Sequence, residues 1–294
     1  MNQRPASAGA RLRARMAQGP LLMPGIFNPL SARLAIRHGA EGLYLAGSAT
    51  VNSMLGLPDI ALITQTEMAQ AAAWVTQVTD IPVVADADTG YGDALNTSRT
   101  ITVMEQAGLA GVHLEDQTSP KRCGHLDGKS LIPPDAMAAK IRAAAETRRD
   151  PDFVLIARTD ARGVEGLDAA MDRARRYVAA GADVIFPEGL NSEAEFATFR
   201  AGVPGVPLLA NMTEFGKTPL ISFDRFAQLG YALVIFPNAA FRAMLKTVDE
   251  VYAELMATGT QAGMMDRMRT RAELYDILDY NGYAQRDGGW AKGD

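Results

Sequence analysis

One junction recurs along this chain and limits what it can fold into. A helical stretch closes on a glycine, and an apolar strand begins at once. His38-Gly39-Ala40-Glu41-Gly42-Leu43-Tyr44-Leu45 and Gln106-Ala107-Gly108-Leu109-Ala110-Gly111-Val112-His113 are two copies. Ala180-Gly181-Ala182-Asp183-Val184-Ile185-Phe186 and Leu229-Gly230-Tyr231-Ala232-Leu233-Val234 are two more. Glycine just past a helix end adopts a left-handed conformation at little cost. Strand patterns occupy Leu21–Gly25, Gly42–Ala46, Pro82–Ala87, Gly111–Glu115, Phe153–Arg158, Asp183–Pro187, Pro207–Asn211 and Leu233–Pro237. Helical patterns fall between them, near 31–38, 67–79, 94–107, 134–147, 167–180, 192–200, 223–229 and 239–257. Runs such as Val83-Val84-Ala85 and Val154-Leu155-Ile156 are apolar throughout, as strands buried on both faces must be. Eight βα units in about 240 residues predict an α/β fold, a (β/α)8 TIM barrel, with a doubly wound open sheet as the alternative. The barrel is expected over 1–258, with 259–294 a C-terminal helical extension of the same domain.

Composition narrows the function. The chain has 34 acidic residues against 29 basic ones, a net charge of −5, and no basic stripe interleaved with aromatics, so no nucleic-acid partner is expected. No apolar run is long enough to span a membrane. The single cysteine excludes an internal disulfide and fits a reducing, cytoplasmic setting. Six arginines precede the first acidic residue, Glu41, which reads as a surface helix around 8–18 covering one end of the fold rather than a transit segment.

Barrel chemistry sits at the C-terminal ends of the strands. Here those ends carry Asn28, Ala46-Gly47-Ser48, Asp86 and Asp88, Glu115-Asp116, Arg158-Thr159-Asp160, Glu188, Asn211 and Asn238. Two glycine motifs are decoys. Asp88-Thr89-Gly90-Tyr91-Gly92-Asp93-Ala94-Leu95 mimics a dinucleotide fingerprint but has Leu95 at the third glycine position. Gly216-Lys217-Thr218 mimics the end of a phosphate loop but lacks its first glycine and runs into Pro219.

Asp86 and Asp88 are two apart at a strand end, so period-2 geometry puts both on one face. Two carboxylates so placed repel unless a cation or proton lies between them. Glu115 ends the next strand and can converge on the same point, and Asp59 can approach from the loop after strand 2. An all-oxygen set favours Mg²⁺, or Mn²⁺, over zinc, with Asp59 acting through a metal-bound water. Helix capping or loop hydrogen bonds would account for any one of these acids alone.

After strand 4 comes Lys121-Arg122-Cys123-Gly124-His125-Leu126-Asp127-Gly128-Lys129, in a connection too long for a plain βα turn. Lys121, Arg122 and His125 flank Cys123 with positive charge that stabilises a thiolate. The segment holds almost no apolar residue to bury the thiol as a small hydrophobe, which favours a functional cysteine. Gly124 and Gly128 let the backbone hinge or approach a ligand. His113, inside a strand, reads as a core histidine. Arg158 needs an anionic partner, either Glu188 or a substrate carboxylate. Asn211 and Arg242 are candidates for a second carboxylate, although Arg242 also fits a surface position.

These motifs together resemble the isocitrate lyase/phosphoenolpyruvate mutase superfamily. The resemblance rests on Lys121-Arg122-Cys123-Gly124-His125, Asp86-Ala87-Asp88-Thr89-Gly90-Tyr91-Gly92 and His113-Leu114-Glu115-Asp116-Gln117, and it runs from about residue 8 to 285. Lys-Arg-Cys-Gly-His marks the lyases of that superfamily, and the branch that cleaves 2-methylisocitrate to pyruvate and succinate is most similar. Related activities are 2,3-dimethylmalate cleavage and phosphonopyruvate-type rearrangement or hydrolysis. The resemblance implies a small-molecule 2-hydroxy acid substrate and a homodimer or homotetramer that exchanges its last barrel helix. It implies Mg²⁺ at Asp86, Asp88 and Glu115 with Asp59 assisting. It also implies Cys123 as the proton donor on a mobile loop, Tyr44 beside the alkoxide, and substrate contacts from Gly124, His125, Arg158, Glu188, Asn211 and Arg242. One segment departs from the pattern. Ala46-Gly47-Ser48 stands where these proteins usually carry Ser-Gly-Gly as the oxo-acid cradle, so a hydroxyl is lost at 46 and a side chain appears at 48. Backbone amides there can still bind a carboxylate.

Overall fold

A computed structural model describes residues 6–122, 124 and 128–292, the last two as backbone only. Cys123 and His125 therefore lie outside the described residues. The chain forms two compact units, Met1–Ala239 and Ala240–Asp294.

Among the described residues the first unit contains eight parallel strands: β1 (Leu21–Ile26), β2 (Leu43–Leu45), β3 (Val83–Asp86), β4 (Gly111–Glu115), β5 (Val154–Thr159), β6 (Val184–Pro187), β7 (Leu209–Asn211) and β8 (Leu233–Phe236). Each strand pairs with its neighbour in sequence, and β1 pairs with β8 through Leu21↔Leu233 to Pro24↔Phe236. A parallel bridge from Ile185 to Leu208, with Ile185 N–H donating to the Pro207 carbonyl at 3.1 Å, joins β6 to β7 and closes the ring. The fold is the (β/α)8 barrel that the alternating pattern predicts. The four repeated junctions turn as expected, with φ of +85°, +83°, +110° and +81° at Gly39, Gly108, Gly181 and Gly230.

The helices of this unit are α1 (Ala8–Ala17), α2 (Pro29–Arg37), α3 (Gly47–Leu55), α4 (Gln65–Thr76), α5 (Ala94–Gln106), α6 (Pro134–Thr147), α7 (Leu167–Ala179), α8 (Glu193–Gly202) and α9 (Phe223–Gln228). Capping boxes start α2, with Asn28 and Ser31, and α4, with Thr64 and Glu67. The α1 helix seats on the N-terminal side of β5 and β6. Gly9 lies against the backbone of Asp152, Leu12 is fully buried, and the Arg13 guanidinium reaches Asp183 at 2.8 Å. Burying one leucine contributes roughly 1.5–3 kcal/mol, enough to hold a short, acid-free helix in place.

The sequence pattern left α3 unassigned, because Gly47, Ser48, Thr50, Val51, Asn52 and Ser53 are weak helix formers and outweigh Ala49. The decoys resolve as loops. Leu95 is 82% exposed at the start of α5, and no helix follows Lys217 before Phe223. The connection between β4 and α6 is pinned at its base by an antiparallel bridge, Gln117↔Leu131, and by Thr118 N–H donating to the Ser130 carbonyl at 2.8 Å.

The second unit contains α10 (Ala239–Thr258, whose first residue belongs to the barrel unit), a 3-10 turn at Ala262–Arg267, α11 (Arg271–Ile277) and α12 (Tyr280–Lys292). The Thr270–Glu273 capping box starts α11. On α10, Leu245, Tyr252 and Met256 are exposed. No described helix is long and apolar enough to cross a membrane.

Candidate active site

Buried polar side chains converge at the C-terminal ends of β2 through β7. Asp86 ends β3, and its Oδ1 accepts from the Asp88 amide at 2.8 Å. Asp88 holds φ at +46°, a left-handed conformation uncommon for a residue with a Cβ, which returns its carboxylate to the same end of the barrel. Gly47 is required beside it, because a Cβ at 47 would fall 2.4 Å from Asp86 Oδ2. Glu115 ends β4 and is fully buried.

The cation among these acids is one the sequence pattern assigned only to the cysteine's surroundings. Lys121 Nζ stands 2.5 Å from Asp59 Oδ1 and 3.1 Å from Asp88 Oδ1, with 3% of its side chain exposed. One ammonium, with the Arg158 guanidinium beside Glu115, does not balance four carboxylates. Burial pushes Asp88 up to about 6 against the pull of Lys121. Burial also holds Glu115 well above the usual carboxylate range, despite Arg158 3.2 Å away. Asp88 Oδ2 and both Glu115 oxygens accept no hydrogen bond among the described residues.

This all-oxygen, cation-short group fits a hard divalent ion in its chemistry. Among the described residues no three His, Cys, Asp or Glu side chains form a ready-made ligand set.

Tyr44, in the middle of β2, is buried, and its hydroxyl lies 2.7 Å from His113 Nε2. His113 Nε2 is also 3.5 Å from Asp86 Oδ1. Burial pushes His113 down to about 4, so the ring is neutral near pH 7. Thus His113 is a buried histidine, as its strand position suggests, but one that ties Tyr44 to the acid cluster.

Arg158, at the end of β5, gathers carboxylates. Its Nε and Nη2 contact Asp160 at 2.9 and 3.2 Å, while Nη1 lies 3.2 Å from Glu115 and 3.6 Å from Glu188. Its guanidinium also stacks over Phe186, 5.2 Å from the ring centroid. Asn211, at the end of β7, donates to Glu188 at 3.0 Å. Gly124 packs on this pair, where a Cβ would meet Glu188 Cγ at 2.4 Å and Arg158 Nη2 at 2.5 Å.

Ala46 caps α3 without a side-chain hydrogen bond, so the amides of Gly47, Ser48 and Ala49 head a helix with no intrahelical acceptor. That end suits a carboxylate without needing the absent serine hydroxyl. The Ser48 hydroxyl donates to Asn238 Oδ1 at 3.0 Å. Arg242 lies on α10, in the second unit.

Sequence reasoning missed a supporting layer. Asp116 accepts from Tyr177 Oη at 2.7 Å, Thr159 Oγ1 at 2.8 Å, the Asp160 amide at 2.9 Å and Arg173 at 3.2 Å. Its signal was present as an acid beside Glu115 at a strand end, but alternation along the strand turns it away from the mouth.

Known proteins resemble this chain in sequence and in fold. A family profile, phosphoenolpyruvate phosphomutase, matches residues 12–256. A 2-methylisocitrate lyase from Aeropyrum pernix is 51% identical over 267 residues, covering 91% of this chain and 85% of its own. The chain belongs to the isocitrate lyase/phosphoenolpyruvate mutase superfamily. The crystal structure of a 2,3-dimethylmalate lyase of this superfamily overlays with a TM-score of 0.91 at 34% identity, covering 97% of this chain and 96% of that one. A phosphonopyruvate hydrolase, crystallised with oxalate and Mg²⁺, overlays at 0.85 with 28% identity, covering 97% and 99%. Superfamily membership agrees with the motif resemblance.

Proposed function

We propose that this protein is a Mg²⁺-dependent carbon–carbon lyase that cleaves 2-methylisocitrate to pyruvate and succinate. The observation that carries the reading is one juxtaposition. A carboxylate group short of positive charge adjoins an arginine, Arg158, and Gly124 of the Lys-Arg-Cys-Gly-His segment packs on that arginine. Similarity to 2-methylisocitrate lyases over most of the chain supports the choice of substrate.

Asp86, Asp88 and Glu115 would hold the ion, with Asp59 assisting. When bound, Mg²⁺ lowers the pKa of a hydroxyl and neutralises carboxylate charge. The amides that head α3 at Gly47 and Ser48 receive the carboxylate of the pyruvate half. Tyr44, fixed by His113, lies beside the C2 alkoxide. Arg158, Glu188 and Asn211, joined by Gly124 and His125, bind the succinate half. The C2 hydroxyl gives its proton to a base and its oxygen becomes the pyruvate carbonyl as the C2–C3 bond breaks. The electron pair of that bond spreads into the adjoining carboxylate of the succinate half, which Arg158 stabilises. The Cys123 thiol gives that carbon its proton, a transfer worth about 10²–10⁴-fold. Mn²⁺ is expected to substitute for Mg²⁺.

The exposed apolar face of α10, with Leu245, Tyr252 and Met256, supports a homodimer or homotetramer that exchanges this helix between copies. Purified protein with Mg²⁺ is expected to release pyruvate from 2-methylisocitrate. Release from 2,3-dimethylmalate alone would move the substrate within the lyases, and release from neither would refute the reading.

A further inference from the structure

Behind Arg158 lies a buried ionic chain that the lyase chemistry above does not use. Three carboxylates surround the guanidinium, and they play different parts. Glu115 and Glu188 both approach Nη1, at 3.2 and 3.6 Å. Asp160 alone takes the side edge, Nε at 2.9 Å and Nη2 at 3.2 Å. A two-point contact to a planar guanidinium fixes its plane, whereas a single contact leaves it free to rotate.

Asp160 is itself held from two sides. Its amide donates to Asp116 Oδ1 at 2.9 Å, and the Asp116 carboxylate is anchored by Tyr177, Thr159 and Arg173. Its Oδ1 accepts from Lys129 Nζ at 2.8 Å, the same oxygen that meets Arg158 Nη2. The Lys129 side chain is 4% exposed and that of Asp160 is fully buried. Lys129 therefore supplies the second cation that three acids around one arginine call for. Its ammonium also donates to the Gly124 carbonyl at 2.5 Å, and Gly124 is the residue that packs on Arg158 Nη2 and Glu188.

We propose that Lys129 and Asp160 are positioning residues for Arg158. The shared Oδ1 sets the guanidinium plane, and the shared ammonium ties that plane to the Gly124 backbone packed on it. This inference rests on the lyase reading only for the identity of the anion that Arg158 receives.

The test is a set of three double-mutant cycles on the full-length protein with Mg²⁺. Lys129→Met, Lys129→Arg and Asp160→Asn are each made alone and with Arg158→Lys. The readouts are kcat and KM for 2-methylisocitrate, the calorimetric Kd for succinate, and the melting temperature. Displacing a substrate-positioning group by about 1 Å costs on the order of 10²-fold, so Lys129→Met is expected to lower kcat/KM by about 10². Lys129→Arg is expected to recover most of that loss. With Arg158→Lys already present, Lys129→Met is expected to remove less than about threefold more, because its effect passes through Arg158. Losses that multiply in both backgrounds, or a Lys129→Met protein with unchanged kcat/KM, would overturn the proposal. If Lys129→Met does not fold, the isosteric Asp160→Asn cycle gives the same test. If no substrate is turned over, the lyase reading fails, and the succinate Kd still runs the cycle. A wild-type protein that binds no succinate overturns the proposal.

Discussion

Gly47 gives the sharpest single perturbation. A methyl carbon there would lie 2.4 Å from Asp86 Oδ2, 2.8 Å from Cγ and 3.0 Å from Cβ. Ordinary contact begins near 3.4 Å, so the carboxylate oxygen must retreat by about 1 Å. It has little room, because Oδ1 is bonded to the Asp88 amide at 2.8 Å and faces His113 at 3.5 Å. The alternative is a shift of the α3 N-terminus, which moves the amides assigned to the pyruvate carboxylate. Overpacking of this kind costs roughly 1–3 kcal/mol of stability. A displacement of about 1 Å at a reacting group costs about 10²-fold in rate. Gly47→Ala is therefore expected to lower kcat/KM for pyruvate release by about 10² and to raise the Mg²⁺ concentration needed for half-maximal rate. The assay is pyruvate formation against Mg²⁺ concentration, with the melting temperature taken in parallel. Gly205→Ala is the control, since Gly205 has φ +79° with nothing within 4 Å of the added carbon. It should lose about 1–2 kcal/mol of stability through backbone strain while keeping its activity. Wild-type kcat/KM in Gly47→Ala would refute the reasoning, because the carboxylate could then be moved without consequence.

Four further outcomes follow from the same geometry. Lys121→Met leaves Asp59 and Asp88 without their ammonium and should destabilise the metal-free protein by about 3–5 kcal/mol in chemical denaturation, with added Mg²⁺ recovering part of the loss. Arg158→Lys loses the two-point contact to Asp160 and should raise the succinate Kd by about tenfold or more, read by calorimetry. Cys123→Ser should lower turnover by about 10²–10⁴-fold while circular dichroism and melting temperature stay unchanged. Chelation of divalent ions should abolish pyruvate release, and Mg²⁺ or Mn²⁺ should restore it where Zn²⁺ does not.

The fold was legible because its signals are local. Glycines at 39, 108, 181 and 230 mark where helices hand over to strands, and strands buried on both faces read as apolar runs. The helix α3 was not legible, since weak helix formers fill most of its first seven positions and its apolar residues Val51, Met54 and Leu55 come only in its second half. Within the site, Asp86, Asp88, Glu115, Arg158, Glu188 and Asn211 could be read because barrel topology sends the last residue of each strand to one end. Their pairings could not be read. That Lys121 reaches Asp59 across 62 positions, or that Lys129 shares an oxygen of Asp160 with Arg158, depends on how a long connection folds back. Asp116 shows the limit most clearly. It neighbours Glu115 in sequence, yet one step along a strand reverses the face, and it anchors the scaffold while Glu115 faces the site.

Cleavage of 2-methylisocitrate in D₂O with Mg²⁺, with the products analysed by mass spectrometry, tests the central claim most directly. The account predicts pyruvate and succinate in equal amounts, with the succinate carrying a single deuteron on the carbon released from the broken bond. Recovery of unchanged substrate, or of a rearranged product with no solvent hydrogen, would contradict it.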